Sequence, residues 1–176
     1  MKKLGIIGAM SVEVETLKSE MKNLTVTKKA GMEFYDGMLE DLPVVVVQCG
    51  VGKVNAAMCA QVLCDCFDVT HLVNTGIAGS LCAELDIGDL VISDDAMYHD
   101  FDAQNFGYEM GEVPGMGVLT FTADPEMIRY AEIAAETVNP GHSRIGRVAS
   151  GDLFVAERAA KERILFFISI PSFCTS

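Results

Sequence analysis

The chain has 176 residues, half of them apolar and 22% charged, and carries a formal net charge of −12. That length supports one domain with a substantial core, and that composition excludes a disordered chain. The acidic balance, with no extended Lys/Arg run, excludes a nucleic-acid surface, which needs clustered cations against phosphates.

In chain order, Leu4–Ile7 reads as a buried strand ending at Gly8-Ala9. Ser11 is the expected cap of the helix that follows, whose Val14, Leu17 and Met21 share one face. Phe34–Leu39 and Val44–Val47 read as neighbouring strands, with Glu40, Asp41 and Pro43 marking the turn. Gly50-Val51-Gly52-Lys53 opens a small-residue helix to about Phe67. Val69–Asn74 is the next strand and ends in Thr75-Gly76-Ile77-Ala78-Gly79-Ser80; Asp89–Ser93 is another. Residues 99–118 have neither helical nor strand periodicity, and a loop that long in a compact domain is usually functional. Asp124–Val138 returns to a helical pattern and Ile145–Ser150 to a strand. A polar helix runs from about Ala156 to Arg163, followed by the apolar run Ile164–Ser176. Strands alternating with helices, each strand ending in glycine, predict an α/β sheet with ligand loops along one edge. With no repeat and no linker, a single domain is the economical reading.

The cysteines at 49, 59, 64, 66, 82 and 174 form no CxxC pair, and His71, His99 and His142 complete no zinc pattern. No metal or cofactor is expected, and Cys64 and Cys66 are read as buried reduced thiols. The N-terminal apolar run is too short for a secretory segment and no stretch has the length of a membrane span, so a cytoplasmic protein is expected.

Gly5-Ile6-Ile7-Gly8 is not the dinucleotide fingerprint, and Gly50-Val51-Gly52-Lys53 lacks the spacing and the Ser/Thr of a phosphate loop. Thr75–Gly79 lets a ligand approach the backbone, because small residues leave amides exposed. Glu13 alone is an ordinary solvated helix residue, although a helix start attracts negative charge. Phe106 and Tyr108 read equally well as packing under the long loop.

Taken together and in order, these segments resemble the bacterial 5′-methylthioadenosine/S-adenosylhomocysteine nucleosidases of the nucleoside phosphorylase superfamily. The matching stretches are Gly5–Met10 with Glu13, Gly50–Val54, Asn74–Gly79 and Gly88–Asp94, then Tyr98–Asp100 through Phe106–Tyr108 to Pro114-Gly115, and Ser150–Phe154. The resemblance runs from residue 3 to about 163. It implies a three-layer α/β/α fold with a central mixed sheet, lacking its C-terminal part. Residues 1–163 would be the nucleosidase domain and 164–176 an atypical apolar tail.

The resemblance further implies hydrolysis of the N-glycosidic bond of adenine thionucleosides, giving adenine and a thioribose. Glu13 would activate the attacking water. Met10 and Val51 would line the ribose and water pocket, Ala78 and Gly79 the purine pocket. Phe154 would stack on adenine and Val155 would offer it backbone hydrogen bonds. Ala103, Phe106, Tyr108 and Pro114 would close the alkylthio pocket of a partner subunit in a homodimer. This fits the chemistry: an oxocarbenium-like transition state needs an activated water on one face and a protonated leaving group on the other. A thioether end favours apolar and aromatic walls.

Phosphorylases of this fold hold phosphate with arginines, one in the turn after the first strand. Here that turn is Gly8–Glu13, with no basic residue before Lys18, so water is the expected nucleophile. Two departures stand out. Ile77 replaces a serine that some relatives carry near the water. After Phe154, nothing matches the family's Met-Glu-Gly/Ala strand, whose glutamate grips the ribose, or its later Ser-Asp acid. A nearly or wholly inactive polypeptide is therefore expected, with the tail either pairing as a substitute strand through Leu165–Ile170 or packing on a partner chain. A non-catalytic adenine-nucleoside binder and a nucleoside phosphorylase are the competing readings.

Overall fold

A computed structural model describes residues 2–167 and 172–175. The chain divides into two compact units, residues 1–77 and 78–176. Both are α/β, and each carries a mixed five-stranded sheet.

In the first unit the strands are β1 (Leu4–Gly8), β2 (Lys22–Lys29), β3 (Met32–Leu39), β4 (Leu42–Gln48) and β5 (His71–Asn74), in the order β2-β3-β4-β1-β5. β1 runs parallel to β4 and β5, while β2, β3 and β4 form an antiparallel meander. The helices α1 (Ser11–Glu20) and α2 (Lys53–Phe67) cover opposite faces, because alternate residues of one strand point to opposite sides. Ile6, Val44 and Val46 pack with Val14 and Leu17 of α1. Ile7, Val45, Val47 and Phe34 pack with Cys59, Leu63 and Phe67 of α2. This unit alone is a three-layer α/β/α sandwich.

In the second unit the strands are β6 (Gly79–Ser80), β7 (Leu90–Tyr98), β8 (Phe121–Thr122), β9 (Ser143–Ser150) and β10 (Ser172–Thr175), ordered β6-β10-β9-β7-β8. β7, β9 and β10 are parallel, with β6 and β8 antiparallel at the edges. The helices are α3 (Pro125–Val138) and α4 (Arg158–Phe167), and the core joins Leu81, Met97, Ala149 and Ile164. Asp124 caps α3 by accepting from the N–H groups of Glu126 and Met127, both at 2.9 Å. Pro125 holds the first helical position, where no N–H is needed. The β7–β9 register shifts between Ser93 and Ala96. There Arg147 on β9 grips Asp95 with two 2.6 Å bonds, Nε to Oδ1 and an NH2 to Oδ2.

Several sequence expectations need correcting. Ser11 is the first residue of α1, not its cap; Met10 is the cap. β5 starts at His71 because the Thr70 N–H turns back to Lys3 O at 2.9 Å. Cys64 and Cys66 are exposed on α2, whereas Cys49 and Cys59 are buried. Leu165–Phe167 belongs to α4, so no substitute strand begins at Leu165; residues 168–171 lie outside the described residues, and the pairing strand is Ser172–Thr175. Among the described residues, no helix is long and apolar enough to cross a membrane.

The start of the β7–β9 pair carries a pH dependence. The Asp89 carboxylate accepts from the Asp86 N–H at 2.9 Å and pairs with His142 Nδ1 at 2.9 Å. The Asp86 N–H first, and the His142 ring second, hold the Asp89 carboxyl below the usual aspartate range. A depressed folded-state value means the stabilisation is present above the unfolded value of about 3.9 and fades as the pH falls through the folded one. Acid unfolding of Asp89→Asn is expected to lose this share of the pH dependence, seen as a flatter slope of urea midpoint against pH below about 4. An unchanged slope would contradict it.

Candidate functional site

In the first unit the parallel strands β4, β1 and β5 all end at one edge, the position where open α/β sheets hold ligands. Backbone bonds lock these ends together: the Cys49 N–H donates to Gly8 O at 2.9 Å and the Thr75 N–H to Ile7 O at 2.9 Å. Glu13, in the first turn of α1, lies half-buried at this edge. Its Oε2 accepts from the Met10 N–H at 2.8 Å and its Oε1 from the Ile77 N–H at 3.0 Å.

Two glycines make room for that carboxylate. A Cβ at Gly76 would lie 2.9 Å from Glu13 Oε1. A Cβ at Gly8 would lie 2.6 Å from Val14 Cγ1 and 3.1 Å from Glu13 Cβ. Since Val14 is itself buried, the turn has no slack to absorb a methyl group. Each carboxylate oxygen spends one lone pair on an amide and keeps another for a proton. The site thus presents a fixed, proton-accepting carboxylate at a helix N-terminus. The sequence signal for Gly8 and Gly76 was the glycine at each strand end. The sequence singled out Ile77 only for its side chain, which is exposed; its backbone N–H, which fixes Glu13, left no signal.

Met10 and Val51 are exposed in the same unit. Val51 precedes α2, and its carbonyl accepts from the Asn55 side-chain amide at 2.7 Å. Cys49 is no nucleophile: burial, and then the Glu13 charge, push its thiol up. Burial pushes Cys59 up to about 12, so both remain protonated and inert.

In the second unit β7 and β9 end side by side, with Tyr98 paired to Ser150. Each feeds a segment singled out from the sequence. After β7 comes the long loop, where a 3₁₀ turn over Gln104–Phe106 is the only helical piece. Phe106 is 83% exposed and Pro114 is exposed, Tyr108 is half-buried, and Ala103 is buried within its own unit. After β9 comes Gly151–Val155, in which Phe154 is 91% exposed while Val155 packs against the core. Ala78 is exposed, and Gly79 pairs with Thr175 in the β6–β10 ladder.

Residues 3–169 match the family model of the phosphorylase superfamily, which defines the class. The 5′-methylthioadenosine/S-adenosylhomocysteine nucleosidase of Halalkalibacterium halodurans is 43% identical over 164 residues, covering 93% of this chain and 70% of that protein. The crystal structure of the corresponding nucleosidase from Colwellia psychrerythraea, in complex with adenine, superposes with a TM-score of 0.94. It is 34% identical, over 99% of this chain and 72% of that one. The nucleosidase of Neisseria meningitidis, in complex with methylthio-immucillin-A, also gives 0.94 at 32% identity, over 100% of this chain and 75% of that one. The chain belongs to the 5′-methylthioadenosine/S-adenosylhomocysteine nucleosidase family.

Proposed function

We propose that this chain hydrolyses the N-glycosidic bond of 5′-methylthioadenosine and S-adenosylhomocysteine, releasing adenine and a thioribose. The observation that carries the proposal is the Glu13 carboxylate, held by the Met10 and Ile77 amides between Gly8 and Gly76. A carboxylate fixed in this way accepts a proton from water as the water attacks the anomeric carbon of an oxocarbenium-like transition state. Met10 and Val51 line the ribose and water side. Ala78, Gly79, Phe154 and Val155 serve the purine, with Phe154 stacking on the ring and the Val155 backbone bonding its edge. Water is the nucleophile, since the turn after β1 has no arginine. The first cation beyond it, Lys18, lies 4.3 Å over the Tyr35 ring.

Phe106, Tyr108 and Pro114, on the loop whose 3₁₀ turn the buried Ala103 caps, reach a partner copy's alkylthio pocket in a homodimer, and the chain works in the cytoplasm, where its cysteines stay reduced. Adenine release from methylthioadenosine, followed chromatographically beside the Halalkalibacterium halodurans enzyme, tests the proposed hydrolysis. Adenine together with free methylthioribose is the expected outcome of the proposed hydrolysis; calorimetric binding with no release on prolonged incubation favours a non-catalytic binder.

A further inference from the structure

We propose that His99 and Asp100 form a latch that sets the course of residues 151–155, which makes them positioning residues for adenine. The inference rests on the reading that Phe154 and Val155 meet the base. His99 is 6% exposed and is the one buried polar or charged side chain among the described residues. Its backbone N–H donates to Ser150 O at 3.0 Å, extending the β7–β9 ladder by one bond. Its ring lies against Gly151 so closely that a Cβ there would run into Nε2 and lie 2.6 Å from Cε1. The same Cβ would lie 2.9 Å from Asp100 Cγ. Asp100 Oδ2 then accepts the Asp152 N–H at 2.7 Å, a charge-assisted bond across the two strand ends.

The far end of the segment is also fixed. Val155 packs against the core of Leu81, Met97, Ala149 and Ile164. Between the two anchors, the Phe154 carbonyl accepts the Ala156 N–H at 3.1 Å, and the Phe154 ring projects outward. Residues 151–155 thus form a short bridge, pinned at one end by His99 and Asp100 and at the other by the core, with an aromatic ring at its crown. A ring presented this way stacks on a flat base without the ordering cost that a loose loop would add. The latch is also the root of the long loop, whose Phe101 carbonyl accepts the Gly111 N–H at 2.8 Å.

The test compares the full chain with Asp100→Ala, Asp100→Asn and Phe154→Ala, by amide hydrogen exchange over 151–155 and by calorimetry with adenine. A bond to a carboxylate is worth roughly a factor of ten in local opening, so Asp100→Ala is expected to exchange about tenfold faster and bind adenine about tenfold more weakly. Asp100→Asn keeps a carbonyl acceptor and is expected to restore most of both, which a general packing role would not produce. Unchanged exchange in Asp100→Ala overturns the latch. Faster exchange with unchanged adenine affinity, where Phe154→Ala does weaken binding, overturns the positioning role. If Phe154→Ala binds adenine as tightly as the parent, the base-contact reading fails and the positioning role with it, while exchange still decides the latch.

Discussion

Glu13→Gln is expected to lower adenine release by about 10²–10⁴-fold from the level of the parent chain, the usual cost of removing a general base. The geometry makes the loss hard to compensate. Both carboxylate oxygens face backbone donors, the Met10 and Ile77 N–H groups. A glutamine offers one carbonyl oxygen and one NH₂, so its NH₂ must point at an N–H, donor against donor. The amide cannot take a proton from water, and it is also turned away from its former geometry. Because Glu13 is only half-buried, the fold should survive the change. Circular dichroism and urea midpoints close to the parent, with activity lost, separate chemistry from folding.

Phe34→Ala is expected to have the largest effect on stability, about 3–5 kcal/mol. Phe34 has no exposed surface and stacks on Phe67 with ring centroids 4.9 Å apart. It joins β3 to the inner face of α2, together with Ile7, Val45, Val47 and Leu63. Deleting the ring loses its transfer energy and leaves a cavity that rigid strands cannot close. Domains are stable by only about 5–15 kcal/mol, so this one change removes a large share. Urea unfolding measures it directly; a shift below about 1 kcal/mol would contradict this packing role.

The sequence showed the parallel strands and helices well where burial imposed a period. Val44–Val47 is apolar on both faces because α1 and α2 cover both, and the helical pattern over Asp124–Val138 matches α3, which Asp124 caps. β2 left almost no trace. It is an exposed edge strand with lysines at both ends, so no buried face imposes alternation. The tail misled for a related reason: Leu165-Phe166-Phe167 suits a strand by propensity, yet Ile164 is buried in the core as part of a helix.

Of the candidate site, Glu13 was legible as a residue but not as a held carboxylate. Its second support comes from Ile77, 64 positions away, through a backbone N–H that no side-chain pattern encodes. The departure at Ile77 concerned its side chain, whereas the structure uses its main chain. Likewise, Gly151 stood in the sequence only as part of the Ser150–Phe154 stretch, and only the fold shows His99 packed against it.

Product analysis with the chain in excess over methylthioadenosine, with and without phosphate, for the parent and Glu13→Gln, decides whether Glu13 drives hydrolysis. The parent is expected to yield adenine and free methylthioribose at a rate that phosphate does not change, and Glu13→Gln markedly less. A sugar 1-phosphate product, a rate that rises with phosphate, or equal release by both proteins would contradict it.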